Sequence, residues 1–307
     1  SNGFKVMGAT AGQTRWTLMP QRESNIDQIR IFVEQSIKRN YNGLLLTLWD
    51  DDSPHFELYK RGIYAFAEFS WGGLSRTKEE FKKAYRHRKF GNSFHSEKYS
   101  FIDLLDEPVG LWTNLFVEEG THRNSLNQIK DPIEKHIIDL PDFEKKGDWS
   151  KKYAKRLAEL ELQKKKLKKV KKTLDIIQKT GAKADYNLLI YGQVSNLVDY
   201  NFRLMEKLNN FDKAKTIDEE TDHLESLYKI KNEFGLIRKE FERVYSQTRI
   251  LDKPENYILD QDHHRHPANQ TTNFDWQFTS EIMLLKKIEK HFKSKNYLME
   301  GTKTSIK

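Results

Sequence analysis

The run formed by residues 43–52 constrains the fold of this chain more than any other stretch. Residues 43–48, Gly-Leu-Leu-Leu-Thr-Leu, are apolar at adjacent as well as alternate positions. This pattern is typical of a parallel strand that is covered on both faces. Trp49 and three carboxylates, Asp50, Asp51 and Asp52, follow at once. Because polar groups at the carboxyl end of such a strand line the site of a (β/α)8 barrel, the run predicts a strand that ends at a ligand-binding edge.

A helix and one further strand precede this run. Residues 4–10 have strand-like composition, and apolar residues at Ile26, Ile29, Val33 and Ile37 give one helical stripe, with Ser24 as the expected N-cap. A strand, a helix and a second strand predict a parallel β-α-β unit. The rest of the chain supplies no further strand, and two strands cannot close a barrel.

Helical patterns dominate after this unit. A helix is predicted from about residue 56 to Gly72, and another begins at Thr77, whose hydroxyl and Glu80 have capping-box spacing. Residues 90–149 are less regular, with Pro108 among the interrupting prolines, and predict a connector with short helices. From Trp149 onward the apolar spacing of three and four predicts four helices packed as a bundle. Their apolar stripes are Tyr153 to Ile177, Ile190 to Leu208, Leu227 to Val244 and Phe274 to Phe292.

Composition excludes some classes of protein and leaves others open. The 307 residues carry a formal net charge of +8, and seven lysines fall between Lys164 and Lys172. Such a run usually forms a solvated helix face, and no nucleic-acid-binding motif accompanies it. The absence of cysteine excludes disulfides and thiolate metal sites. No stretch has the ~20 apolar residues of a membrane helix. We expect Ser1 and Asn2 to be left from a tag and the chain to begin within a larger fold, and the compartment stays open.

Two segments of the chain resemble the end of the barrel in glycoside hydrolase family 20, the β-N-acetylhexosaminidases. In that family the eighth strand ends in Leu-Trp-x-Glu, and a helix with an Ala-x-x-Ala-Glu-x-x-Trp-like stretch follows. Here residues 48–51 read Leu-Trp-Asp-Asp, with Asp51 in place of the glutamate, and residues 65–71 read Ala-Phe-Ala-Glu-Phe-Ser-Trp. The likeness extends over residues 4–75. Residues 240–254 are also similar to the C-terminal helical domain of some members, so residues 150–255 resemble the family loosely.

The resemblance implies a retaining, exo-acting hydrolase that releases terminal N-acetylhexosamine from glycans with the help of the substrate's own acetamido group. It implies that Trp49 forms an apolar wall of the sugar pocket and that Asp51 accepts hydrogen bonds from sugar hydroxyls. Arg15 and Trp16 are weaker candidates for the same rim. The shorter Asp51 leaves the preference between gluco and galacto sugars open.

The family's catalytic Asp-Glu pair on the fourth barrel strand has no counterpart in this chain. The adjacent Asp106 and Glu107 precede Pro108 and are predicted to be part of the surface connector. We therefore expect no catalytic residue in this chain and no turnover by the chain alone. Its predicted contributions are the sugar-pocket residues and a helical support domain.

Simpler interpretations stay open for each of these residues. Trp49 could instead be an ordinary core aromatic residue. The carboxylates at 50–52 could instead mark the start of a helix near Pro54, where negative charge is favourable. A Ca²⁺ or Mg²⁺ site there would lack the ligand alternation of a calcium loop. Residues 260–266, Asp-Gln-Asp-His-His-Arg-His, suit either a divalent transition metal or a surface loop, and without a distant third ligand we expect no metal and no cofactor.

Three functions remain in competition at this point. The first is the C-terminal part of a family 20-like hexosaminidase, with a carbohydrate partner and a homodimer through the helical domain as one assembly. The second is a non-catalytic helical interaction module, and the third is a basic nucleic-acid binder. We favour the first. The predicted fold is mainly α, a C-terminal helical bundle preceded by a small parallel β-α-β remnant of a (β/α)8 barrel. Its segments are residues 1–90 as barrel elements, 91–149 as connector and 150–307 as bundle.

Overall fold

The structure, a computed structural model, describes residues 3–13, 18–49, 55–180, 186–248 and 275–303. At residues 124, 127, 128, 275, 276 and 292–303 it describes the backbone alone. In these ranges the chain is mainly α, a helical bundle preceded by a small parallel β-α-β unit, which confirms the predicted fold class. The elements are β1 Met7–Ala11, α1 Ser24–Lys38, β2 Gly43–Thr47, α2 Lys60–Gly72, α3 Lys78–Phe90, α4 Phe101–Asn114, α5 Asp148–Lys152, α6 Ala154–Thr180, α7 Tyr186–Asp212, α8 Ile217–Tyr245 and α9 Thr279–Lys303.

The chain divides into two compact units. The first contains Ser1–Val109 and Lys166–Ser195, and the second contains Gly110–Lys165 and Asn196–Lys307. The divisions fall inside α4, α6 and α7. The predicted segment boundaries at residues 90 and 149 stay predictions.

The β-α-β unit lies in the first compact unit. β1 and β2 pair in parallel, with Met7 opposite Gly43 and Ala11 opposite Thr47. Ile26, Ile29 and Val33 of α1 are buried as their spacing predicts. The helix packs closely against the sheet. A Cβ added at Gly8 would lie 2.7 Å from the Phe32 ring, so the small residue is required there.

Three local predictions need correction. Glu23, not Ser24, is the N-cap of α1, because the Asn25 side chain accepts a hydrogen bond from the Arg22 N–H and starts the turn one residue earlier. Pro108 does not interrupt the predicted connector of short helices, since α4 continues through this proline to Asn114. The N–H that proline lacks removes one helical hydrogen bond, but apolar packing of Phe101, Leu105 and Val109 holds the helix. The 56–72 segment begins with a 3₁₀ turn, Phe56–Tyr59, before α2.

Other local predictions are confirmed. Thr77 and Glu80 form the capping box that starts α3, with hydrogen bonds in both directions. Gly73 ends α2 in the left-handed conformation, at a φ of 64°, which favours glycine. Stripe residues such as Val170, Val194 and Ile230 are fully buried. None of the described helices is long and apolar enough to span a membrane.

The second unit is organised around a buried polar cluster that the apolar pattern did not indicate. The Arg123 guanidinium stacks on the Trp112 ring at 3.8 Å and pairs with the Glu281 carboxylate. The Trp112 indole donates to the other oxygen of Glu281 at 3.0 Å, and Arg123 also bonds the Ser280 hydroxyl. Aromatic rings of Phe234, Phe241 and Phe278 pack with centroid distances of 5.6 Å.

Candidate functional site

The two strands place one open face and one covered face at the candidate site. Gly8, Thr10 and Gly12 of β1 and its extension are buried, whereas Met7 and Leu45 are 63% and 52% exposed. Side chains alternate along strands, so the open face carries the odd-numbered positions, with Leu45, Thr47 and Trp49 along β2. Cover on both faces was predicted for this strand, and among the described residues it is present on one face. α1 packs against β1 and α2 packs against β2, and the most exposed positions of both strands are odd-numbered.

Trp49 lies at the carboxyl end of β2 and is 51% exposed. Its indole N–H donates to the Thr47 hydroxyl at 3.2 Å, which holds the ring along the open face of the sheet. The Thr47 hydroxyl in turn donates to the Thr10 carbonyl at 3.1 Å. The alternative interpretation of Trp49 as an ordinary core aromatic is therefore wrong, because half of its surface is open.

The backbone of Trp49 is fixed by three hydrogen bonds from side chains. The Gln13 amide grips it on both sides, accepting from the Trp49 N–H at 3.0 Å and donating to its carbonyl at 2.9 Å. The Tyr59 hydroxyl donates to the same carbonyl at 2.8 Å. Gln13 follows β1 and is buried, so this amide ties together the carboxyl ends of both strands. The ring of Trp49 is thus presented from a rigid base.

A second glutamine supports the same edge from behind. The Gln21 amide donates to the Gly12 carbonyl at 2.6 Å and accepts from the Gly62 N–H at 2.9 Å. It thereby joins the end of β1 to the first turn of α2. Neither glutamine was predicted to have a role. The position of Gln13 just after β1 could have suggested one, whereas Gln21 lies ten residues beyond that strand. His55 and Glu57 are further buried polar residues near this edge in sequence.

The remaining candidate residues lie outside the described part of the chain. These are Asp51, Arg15 and Trp16, together with Asp50, Asp52 and the histidine-rich residues 260–266. Their predicted roles stay predictions. Within the described residues there is no group of three or more His, Asp or Glu side chains arranged to hold a metal ion.

The pair Asp106 and Glu107 lies on α4 and not in a connector. Asp106 faces Arg22, with 3.3 Å between the carboxylate and the guanidinium Nε, and Glu107 pairs with Lys166. Both carboxylates are thus bonded to cations of the first unit. Their contacts fit the predicted structural role.

The half-exposed ring of Trp49 offers an apolar surface at this edge. An exposed indole ring beside hydroxyl and amide groups suits the C–H face of a sugar, which packs on aromatic rings. Comparison with models of known protein families, with curated proteins and with solved structures finds no match.

Proposed function

We propose that this chain is the C-terminal portion of a retaining, substrate-assisted exo-β-N-acetylhexosaminidase of the family 20 type. In this proposal the edge at Trp49 forms part of the pocket for the terminal N-acetylhexosamine, and the helical units support it. The observation that carries the proposal is the Trp49 ring, which is half exposed at the carboxyl end of a parallel strand and held there by Gln13, Thr47 and Tyr59.

The open face of the sheet supports the same proposal. Parallel sheets normally have both faces covered, and a two-stranded sheet is marginal by itself. Exposed apolar side chains at Met7 and Leu45 are expected where further barrel strands complete the sheet. A self-contained cap on a helical interaction module would bury them, so the open face favours the hydrolase over that alternative.

In the proposed pocket each residue has a separate task. The Trp49 ring offers an apolar wall. The two hydrogen bonds from the Gln13 amide to the Trp49 backbone fix the position of this ring relative to the strand. Asp51, two positions further on, would accept hydrogen bonds from sugar hydroxyls, because an ionised carboxylate accepts and does not donate. Arg15 and Trp16 would complete the rim beyond β1. The acid and the acetamide-orienting carboxylate of the reaction would come from outside this chain.

The test is sugar binding by the chain. Saturation-transfer NMR detects it separately for N-acetylglucosamine, N-acetylgalactosamine and glucose. We expect transfer to the two N-acetylhexosamines and much less to glucose, and no hydrolysis of a chromogenic N-acetyl-β-glucosaminide. Equal saturation transfer to all three sugars would contradict the proposed specificity for N-acetylhexosamine. Turnover by the chain alone would contradict the assignment of catalysis to residues elsewhere.

A further inference from the structure

The first unit contains a cleft of about 770 Å³ for which neither the fold nor the sugar edge gives a use. One wall is formed by a face of α6, and the other by the 3₁₀ turn Glu97–Tyr99 and the start of α4. On α6 the lining residues recur at spacings of three and four, which places them on one side of the helix. They are Lys169, Lys172, Thr173 and Ile176.

The carboxylates that line the cleft are already paired with cations. Glu23 lies 2.7 Å from Lys82 Nζ, and Glu97 lies 2.9 Å from Arg86 Nη2. Asp103 pairs with Arg61 and lies 3.0 Å from Lys82. Lys82, which is only 6% exposed, therefore serves as a buried counter-ion for this acidic group. Its own pKa is raised, since these carboxylates outweigh the opposing effect of its burial.

Three lysines of the cleft remain without a carboxylate. Lys98 lies over the Tyr99 ring at 4.9 Å, while Lys169 and Lys172 project from α6. Within the part of the chain that the structure describes, none of the three makes an ion pair. Their charges are available to a ligand and add to the potential of the cleft.

A buried hydroxyl faces the same space. Thr173 is 8% exposed and lines the cleft, and its hydroxyl makes no hydrogen bond with any described residue. A threonine hydroxyl can donate one hydrogen bond and accept others. Beside it, Tyr99, Leu104 and Ile176 supply an apolar surface. A threonine hydroxyl that lines the same cleft as Lys169 and Lys172 and has no partner among the described residues is suited to an anionic oxygen.

We propose that this cleft binds a small organic anion, a phosphate or sulfate ester attached to a ring. The ester oxygens accept from the Thr173 hydroxyl and from Lys98, Lys169 and Lys172, which act as point charges. The ring packs on Tyr99, Leu104 and Ile176. The site is independent of the sugar edge and of the proposed hydrolase function.

The experiment is calorimetric titration of the full chain with phenyl phosphate, phenyl sulfate, inorganic phosphate and phenol. We expect one or both aryl esters to bind more tightly than inorganic phosphate, and phenol not to bind. The double variant Lys169→Gln/Lys172→Gln should weaken binding of the ester by about fivefold, because it removes two of the three unpaired charges of the cleft. Thr173→Val, which keeps the shape of the side chain, should weaken it as well.

The matched control is Lys286→Gln/Lys290→Gln, which removes two exposed charges one turn apart on α9, neither of which lines the cleft. The affinity of this control for the ester should remain within about twofold of that of the parent chain, because charges outside the cleft are screened by salt. If both double variants weaken ester binding equally, the ester is attracted by the overall positive charge and not by a specific site in the cleft. Inorganic phosphate binding as tightly as the esters, or no binding of either ester at millimolar concentration, would also overturn the proposal.

Discussion

At the scale of single residues, side chains hold backbone atoms of the Trp49 edge in place. Gln13 is the clearest case, because its amide bonds both the N–H and the carbonyl of Trp49 from a buried position. Removing this amide leaves a backbone N–H without its partner. A partly buried donor without a partner carries a share of the cost of its lost hydration.

We expect Gln13→Leu to lower the free energy of unfolding by about 1–3 kcal/mol, measured by urea denaturation. Gln28→Leu makes the same chemical change at an exposed position on α1 and should leave the midpoint nearly unchanged. If the two variants unfold at the same urea concentration, the clamp on Trp49 does not contribute to stability.

The buried pair of Arg123 and Glu281 gives a second prediction at this scale. Arg123→Met should lower the free energy of unfolding by about 3–5 kcal/mol, because Glu281 is left as a buried charge that only neutral donors bond. Arg243→Met, at the exposed pair with Glu240, is the control and should change the urea midpoint little. Similar shifts for both would mean that Arg123 acts through packing alone.

At the scale of elements, an ion network joins α2, α3 and α4. Arg61 of α2, Lys82 of α3 and Asp103 of α4 form its centre, and all three are buried or nearly so. Burial by itself raises the pKa of Asp103, but the adjacent Arg61 and Lys82 more than offset this effect, so the pKa lies below the usual 3.8. The charged carboxylate is thus favoured in the folded state.

A depressed pKa in the folded state makes the contribution of Asp103 dependent on pH. The contribution of Asp103 to the free energy of unfolding is complete above the unfolded-state pKa of 3.8. It is lost as the pH falls through the lower pKa of the folded state. We expect Asp103→Asn to be less stable than the parent chain at about pH 6, with a gap that narrows below about pH 4. Urea denaturation across this range measures the gap.

The control for removing a negative charge is Asp148→Asn, at an exposed carboxylate that lies 3.6 Å from Lys151. Its effect on the free energy of unfolding should be small at every pH. A gap for Asp103→Asn that stays constant from about pH 6 to 3 would show that its carboxylate is not held in the charged form by Arg61 and Lys82.

At the scale of the whole molecule, the apolar periodicity of the sequence predicted the fold class and most of the elements. Spacings of three and four located the long helices because one buried stripe decides where a helix packs. The capping box at Thr77 was predictable since both of its partners are local in sequence. The start of α1 and the course of α4 through Pro108 were not, because local hydrogen bonding and tertiary packing overrode the sequence signals there.

The candidate site was only partly predictable. Trp49 could be identified because it directly follows a strand, whereas Gln13 and Tyr59 contact it from 36 and 10 residues away. The lysine run at 164–172 was interpreted as a solvated face. Which residues lie opposite Lys169 and Lys172 in the cleft depends on how α6 packs against the rest of the first unit. The spacing of apolar residues in the sequence does not predict this packing.

The most direct test of the central claim is the effect of Trp49→Ala on N-acetylglucosamine binding, measured by saturation-transfer NMR beside Trp71→Ala. Trp71 lies at the end of α2 and is 95% exposed, so it controls for the loss of an accessible indole ring. We predict that Trp49→Ala abolishes saturation transfer to the sugar and that Trp71→Ala preserves it. Transfer that survives Trp49→Ala, or that is lost in both variants, would contradict the assignment of the sugar pocket to the end of β2.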